Sequence, residues 1–199
     1  WQAFRRWSDQ LRSGISKIRI NVKVATKVGN DEDGNFILRD LKSYGVDNIC
    51  KARSRQQTDL ATIISSTKEK DRIILVHKGA STDLSSKDIH PSKLNCSWIY
   101  LATLMGKSLA TAKQLATLAQ KKNIPLLFNP SLYLAEKGRR ALQPILNATR
   151  ILVLNLEEAQ ALAGKKLPVL KLLKELQSFG PEIVIITDSS RRLYARCRD

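Results

Sequence analysis

The 199-residue chain has no apolar run long enough to span a bilayer, and its arginine-rich start lacks the uninterrupted apolar core of a secretory signal. Both absences argue against a membrane protein and for a cytoplasmic one. Its three cysteines, Cys50, Cys96 and Cys197, are too sparse for a disulfide framework and have no metal-ligand spacing, which points to a reducing compartment. There is no internal repeat and no low-complexity segment. What remains is a globular chain, 43% hydrophobic, long enough for one substantial core and a small appendage.

A net charge of +16 makes the position of the basic residues important. Residues 1–27 hold seven Lys or Arg against Asp9, and residues 189–199 hold four Arg against Asp199, so the ends carry nine of the sixteen charges. The middle, with 23 basic and 16 acidic residues dispersed along it, suits a solvated surface. In residues 1–20, Trp1, Phe4, Trp7, Leu11, Ile15 and Ile18 fall near helical spacing among arginines, as in a basic amphipathic helix for a membrane surface or partner. Ser13 and Gly14 weaken that helix, and a poorly ordered terminus explains the segment more simply. A non-catalytic protein using its basic ends on nucleic acid or anionic membrane is the alternative to an enzyme. It stands behind, because those ends carry no nucleic-acid motif and no aromatic platform beyond Trp1, Phe4 and Trp7.

The chain is organised around residues 150–164. Ile151, Leu152, Val153 and Leu154 are continuously apolar, as in a strand buried on both faces of a parallel sheet. Asn155 ends the strand, and Glu158 three residues later completes a capping box for a following helix. Such a strand-to-helix turn lies at the carboxyl end of a strand, where open α/β sheets bind ligands and where helix N–H groups favour anions.

Around this turn, apolar strand runs centre on Ile99, Leu127, Val153 and Val184, spaced 26 to 31 residues apart, enough for helical crossovers. The intervening pattern predicts helices over residues 109–122, 132–147 with a break near Gly138 or Pro144, 156–164 and 167–178. Four such βα units imply an α/β fold, a doubly wound, mostly parallel sheet flanked by helices. Earlier in the chain, residues 22–28 read as a strand and residues 29–34 as an acidic turn into a helix that Gly45 ends. Residues 59–65 and 72–77 flank a polar turn over residues 66–71 and read as a β-hairpin. With no helix between them, these strands belong to a small separate sheet with the shape of a lid, spanning about residues 48–79.

Several of these stretches, in order, resemble the ribokinase or PfkB-type family of sugar and nucleoside kinases. They are Lys27-Val28-Gly29-Asn30-Asp31-Glu32-Asp33-Gly34, the later Gly45-Val46-Asp47, the two lid strands with Thr58 at their start, Phe128-Asn129-Pro130, and Asn155-Leu156-Glu157-Glu158-Ala159. The resemblance covers about residues 20–188 and gives a core over residues 21–188 between atypical basic ends, residues 1–20 and 189–199. It implies ATP-dependent phosphoryl transfer to a hydroxyl of a sugar or nucleoside, with Mg²⁺ required. Asn155 and Glu158 would hold Mg²⁺ and its waters near the phosphates, although a capping box needs no metal. Thr187 would open the nucleotide loop, and Thr58, His77, Lys78 and Asn129 would lie on the substrate and lid side, with a solvated hairpin end as the plainer account of His77 and Lys78. An exposed small sheet is also compatible with a homodimer formed through the lid.

The resemblance also implies parts this sequence lacks. The family's Asp-Thr-x-Gly-Ala-Gly-Asp motif, which supplies the catalytic aspartate, is expected beyond the C-terminus. An early substrate aspartate and a Gly-Gly-x-x-x-Asn loop are absent from residues 1–20, and Ser189 and Arg192 stand where the glycines of a nucleotide loop belong. The expectation is a truncated and catalytically inactive chain. A shift of reading frame would account for both ends: codons CGG TGG AGC GAC for residues 6–9, read one base later, begin Gly-Gly-Ala. Sequencing the encoding DNA decides this.

Overall fold

The computed structural model describes residues 21–66, 72–89, 92, 94–188 and 192–198. The amphipathic reading of residues 1–20 and most of the lid turn lie outside the described residues. The chain divides into two compact units, Trp1–Lys93 with Gly106–Ser108, and Leu94–Met105 with Leu109–Asp199.

In the first unit, β1 (Lys23–Val24) pairs in parallel with β2 (Asp47–Asn48), and α1 (Glu32–Ser43) connects them. The sequence predicts a strand over residues 22–28, yet the ladder stops after Val24. The reason is Asn48, whose side chain takes the next backbone pairing: the Thr26 N–H donates to Asn48 Oδ1 at 3.2 Å, and Asn48 Nδ2 donates to the Thr26 carbonyl at 2.9 Å. Asp31 caps α1 by accepting the Gly34 N–H at 2.8 Å, and Gly45, with φ +69°, follows the C-cap residue Tyr44. The nearly buried Lys27 ammonium lies 2.8 Å from Asp88 and 3.7 Å from Asp83. Burial opposes its charge, but those two carboxylates outweigh it and raise its pKa.

The hairpin pairs β3 (Leu60–Ser65) with β4 (Arg72–His77) antiparallel, from Leu60 opposite His77 to Ser65 opposite Arg72. It forms a two-stranded sheet of its own.

The second unit is a five-stranded sheet in the order β5 (Ile99–Leu101), β6 (Leu126–Phe128), β7 (Thr149–Asn155), β8 (Ile183–Asp188), β9 (Arg192–Cys197). The first four strands run parallel. Their crossovers carry α2 (Ser108–Lys121), then α3 (Leu132–Ala135) and α4 (Gly138–Leu146), then α5 (Leu156–Ala163) and α6 (Val169–Gln177). Leu126, Phe128, Leu152, Leu154, Val184 and Ile186 alternate along the strands, are fully buried, and form the core with Ala116, Leu142, Leu162 and Leu176 of the helices. Side chains of that size contribute roughly 1.5–3 kcal/mol each on burial, so this layer fixes the strand register and with it the sheet's edges.

Of the two candidate breaks in residues 132–147, the structure uses Gly138, whose φ of +73° only glycine adopts cheaply. Pro144 stays inside α4. The sequence ends the core at Asp188 and reads a basic tail beyond it. In the structure the sheet continues there, with β9 antiparallel to β8 from Ile183 opposite Cys197 to Asp188 opposite Arg192. Among the described residues, no helix is long and apolar enough to cross a membrane.

Candidate functional site

Register decides what shares the carboxyl edge of the parallel sheet. Leu152 pairs with Val184, which brings Asn155, the last residue of β7, opposite Thr187 on β8. Phe128 pairs with Leu152, which sets Asn129 at the end of β6 beside β7. The structure therefore gathers Asn129, Asn155, Glu158 and Thr187 at one edge.

At its centre is a reciprocal cap. The Glu158 N–H donates to Asn155 Oδ1 at 2.8 Å, and the Asn155 N–H donates to Glu158 Oε2 at 2.8 Å. Asn155 holds extended φ and ψ of −80° and 171°, the geometry that turns a strand into a helix N-terminus, and Gly164 in the left-handed region ends α5 nine residues on. Burial pushes the Glu158 carboxyl above the usual glutamate range, the neighbouring Glu157 charge adds to this, and the Asn155 bond opposes it. Among the described residues Glu158 forms no ion pair. A half-buried carboxylate without a counter-ion, beside an amide oxygen and a helix start, suits a hard cation that keeps most of its water. A cage of three or more His, Cys, Asp or Glu is absent among the described residues, so only a cation also held by a ligand's oxygens fits the donors present.

Asn129 ties three strands together. Its Nδ2 donates to the Val153 carbonyl of β7 at 2.8 Å, its Oδ1 accepts from the Tyr100 hydroxyl of β5 at 3.2 Å, and its N–H donates to the Leu101 carbonyl at 3.0 Å. Beside it the Ser131 N–H donates to Thr103 Oγ1 at 2.6 Å. Thr187 donates weakly to the Leu154 carbonyl, at 3.4 Å. Tyr100 was not singled out from the sequence, since nothing local marks a tyrosine on β5 as the partner of an asparagine 29 residues later.

The lid residues belong to the other unit. Thr58 is buried, donates its hydroxyl to Asp31 Oδ1 at 2.6 Å and accepts the Gly29 N–H at 2.9 Å. His77 ends β4 and is exposed. The Lys78 ammonium lies 3.4 Å from Asp59 Oδ2. Asp59, which the sequence left unremarked, fastens the hairpin's base: its Oδ1 accepts the N–H groups of Gly79 at 3.1 Å and Ser81 at 2.9 Å. Although burial works against the charge, the Ser81 hydroxyl that donates to Oδ2, these two N–H bonds and Lys78 hold the Asp59 carboxyl below its usual value. Gly79 is required there, because a Cβ would meet the Gln57 carbonyl oxygen at 2.1 Å.

The family model described as pfkB family carbohydrate kinase matches residues 13–195. An uncharacterized sugar kinase from Archaeoglobus fulgidus is 28% identical over 155 residues, which is 75% of this chain and 60% of that protein. Two solved structures share the fold. Adenosine kinase from Sinorhizobium meliloti aligns with a TM-score of 0.79 at 15% identity, over 93% of this chain and 58% of its own. Arabidopsis thaliana ribokinase, solved with ribose and ATP, aligns with a TM-score of 0.74 at 15% identity, over 96% of this chain and 62% of its own. The chain thus spans about 60% of the length of the curated relative it matches.

Proposed function

The chain belongs to the pfkB family of carbohydrate kinases, and from that membership we propose that the protein transfers a phosphoryl group from ATP to a hydroxyl of a sugar or nucleoside. The carboxyl edge of the parallel sheet handles the phosphates. Asn155 fixes the start of α5, whose N-terminal field favours the phosphoryl oxygens. Glu158 keeps one carboxylate oxygen on its cap bond, and its other oxygen would help hold Mg²⁺ and its waters. Bound there, Mg²⁺ supplies positive charge against the phosphates. Thr187, opposite Asn155, borders the nucleotide, and Asn129 holds β6 in place for both. In this reading the hairpin is the lid, with His77 and Lys78 as its substrate-side residues and Thr58 anchoring its first strand.

The observation that carries this reading is the Glu158 carboxylate, pushed up by burial and lacking a counter-ion among the described residues. Calorimetric titration with MgATP tests it. Binding is expected to weaken about tenfold in Glu158→Gln, whereas ATP in the presence of chelator should bind both proteins alike. Equal MgATP affinity in the two proteins would refute the assignment.

The 199 residues contain no Asp-Thr-x-Gly-Ala-Gly-Asp sequence, the family motif whose aspartate accepts the hydroxyl proton. A coupled assay of the 199-residue chain against a panel of sugars and nucleosides is therefore expected to show no turnover.

A further inference from the structure

The opposite, amino edge of the sheet carries a second surface with its own chemistry. Where β6 passes from Leu126 to Leu127, β7 passes from Thr149 to Ile151, so Arg150 is an extra residue bulged out of the ladder. Its guanidinium lies 5.8 Å from the ring centroid of Trp98, the residue before β5, and Trp98 is 47% exposed. The guanidinium also sits 3.2 Å from Glu182, but both side chains are more than half exposed, and an ion pair in that setting adds little stability. Stability therefore does not account for an arginine bulged against a tryptophan.

Topology adds further cations to this edge. Every parallel strand starts here, so the residues before β6 and after β9 share it with Trp98 and Arg150. Lys121 ends α2, Lys122 follows it before β6, and Arg198 follows β9, its N–H donating to the Glu182 carbonyl at 2.9 Å. All three are exposed, and Glu182 is the one acidic residue among the six. The lysines also suit the C-terminus of α2, and Arg198 donates to the carbonyl of Gln177, the last residue of α6, at 3.3 Å with one of its five N–H groups, whereas Arg150 lies within β7, where no helix end requires it.

From this arrangement we infer that the amino edge binds single-stranded nucleic acid, with a base stacked on Trp98 and phosphates held by Arg150, Arg198, Lys121 and Lys122. Charge complementarity selects a polyanion. A flat aromatic ring flanked by a guanidinium selects one with bases, because every base offers a face to stack. The residues involved are scattered between positions 98 and 198, and only the strand order assembles them.

Fluorescence anisotropy of a labelled oligothymidylate of about 12 nucleotides, with the full 199-residue chain, tests the proposal. Four phosphate contacts predict a loss of affinity of about 50-fold between about 50 and 200 mM salt. Trp98→Ala is expected to cost about tenfold while Trp98→Phe, which keeps a stacking face, retains most of the binding. Arg150→Ala should lower both the affinity and the salt slope. Arg39→Ala, which removes an equal charge from an exposed site on α1, should leave binding within about twofold. Binding that survives Trp98→Ala, or that falls as much with Arg39→Ala as with Arg150→Ala, would overturn the proposal and reduce it to nonspecific attraction by net charge.

Discussion

Asp31 holds Thr58 by two bonds at once, accepting its hydroxyl at 2.6 Å on Oδ1 and its backbone N–H at 2.7 Å on Oδ2. The same carboxylate caps α1 through Gly34. One side chain thus joins the acidic turn, the first helix and the strand leading into the lid. The Thr58 bonds hold the Asp31 carboxyl below the usual aspartate value, with further help from Gly34 and Arg53. A carboxylate with a lowered folded pKa stabilises the protein above its unfolded pKa, and that contribution is lost as the pH falls through the folded value. Asp31→Ala removes a cap and leaves the buried Thr58 without its acceptor, at a cost of about 2–3 kcal/mol near neutrality. Urea titrations of wild type and variant should converge as the pH drops below about 3.9, the unfolded aspartate value, and a constant gap across that range would contradict the assignment.

Glu158 has the opposite sign. Burial, then Glu157, raise its carboxyl pKa, so the folded state binds the proton more tightly than the unfolded chain does. Its contribution is favourable below the unfolded pKa and is lost as the pH rises through the folded value, leaving a penalty at neutrality. Glu158→Gln keeps an oxygen for the Asn155 N–H and drops the charge. Its unfolding midpoint at neutral pH is expected to equal or exceed that of wild type, with the difference fading below about pH 4.3. Added MgATP should raise the wild-type midpoint more than that of the variant. This is the pattern of a site residue kept for binding at some expense of stability. A variant clearly less stable than wild type at neutrality would show that the carboxylate serves the cap alone.

Asn129 gives a test of how the edge is held together. Removing its amide in Asn129→Ala leaves the Val153 carbonyl and the Tyr100 hydroxyl without their partner. We expect a loss of about 1–2 kcal/mol in chemical denaturation. Most of it should come from the Val153 bond, so Tyr100→Phe alone should cost less than about 1 kcal/mol, and the double variant should fall short of the sum of the two. Strict additivity would mean that Tyr100 and Asn129 are not coupled.

These relationships differ in how far they could be read from the residues. The Asn155 turn was legible because its two determinants, an apolar strand run and a capping box, are both local. The four parallel strands were legible from their spacing, and the hairpin from two β-branched runs with no helix between them. What escaped depends on partners distant in sequence. The short β1 follows from Asn48 inserting its side chain into the ladder, and the Asp59 clamp needs Gly79 and Ser81 brought back by the hairpin. β9 was masked by its arginines, which read as a charged tail and yet suit the solvent-exposed edge of a sheet.

The lid hairpin supports the last prediction, because it is apolar on both sides and only two strands wide. Cross-strand neighbours share a face, so Leu60, Thr62 and Ile64 lie with His77, Leu75 and Ile73, while Ala61 and Ile63 lie with Val76 and Ile74. Ile64, Ile73 and Leu75 are 56%, 62% and 56% exposed on the first face, and Ile74 and Val76 are 47% and 49% exposed on the second. A two-stranded sheet has little stability of its own in water, and leaving both faces wet would make it less stable still. The first face mixes Leu60, Ile64, Ile73 and Leu75 with the polar Thr62 and His77. The second carries the aliphatic Ala61, Ile63, Ile74 and Val76, with Ser65 and Arg72 at the turn end of the ladder, and its aliphatic part suits the same face of a second copy. Sedimentation equilibrium of the 199-residue chain is therefore expected to show a dimer. Ile74→Lys, which places a charge in that contact, should weaken it at least about a hundredfold, close to 3 kcal/mol, whereas Leu75→Lys on the other face should leave the mass unchanged. A dimer indifferent to Ile74→Lys, or one broken only by Leu75→Lys, would place the contact elsewhere.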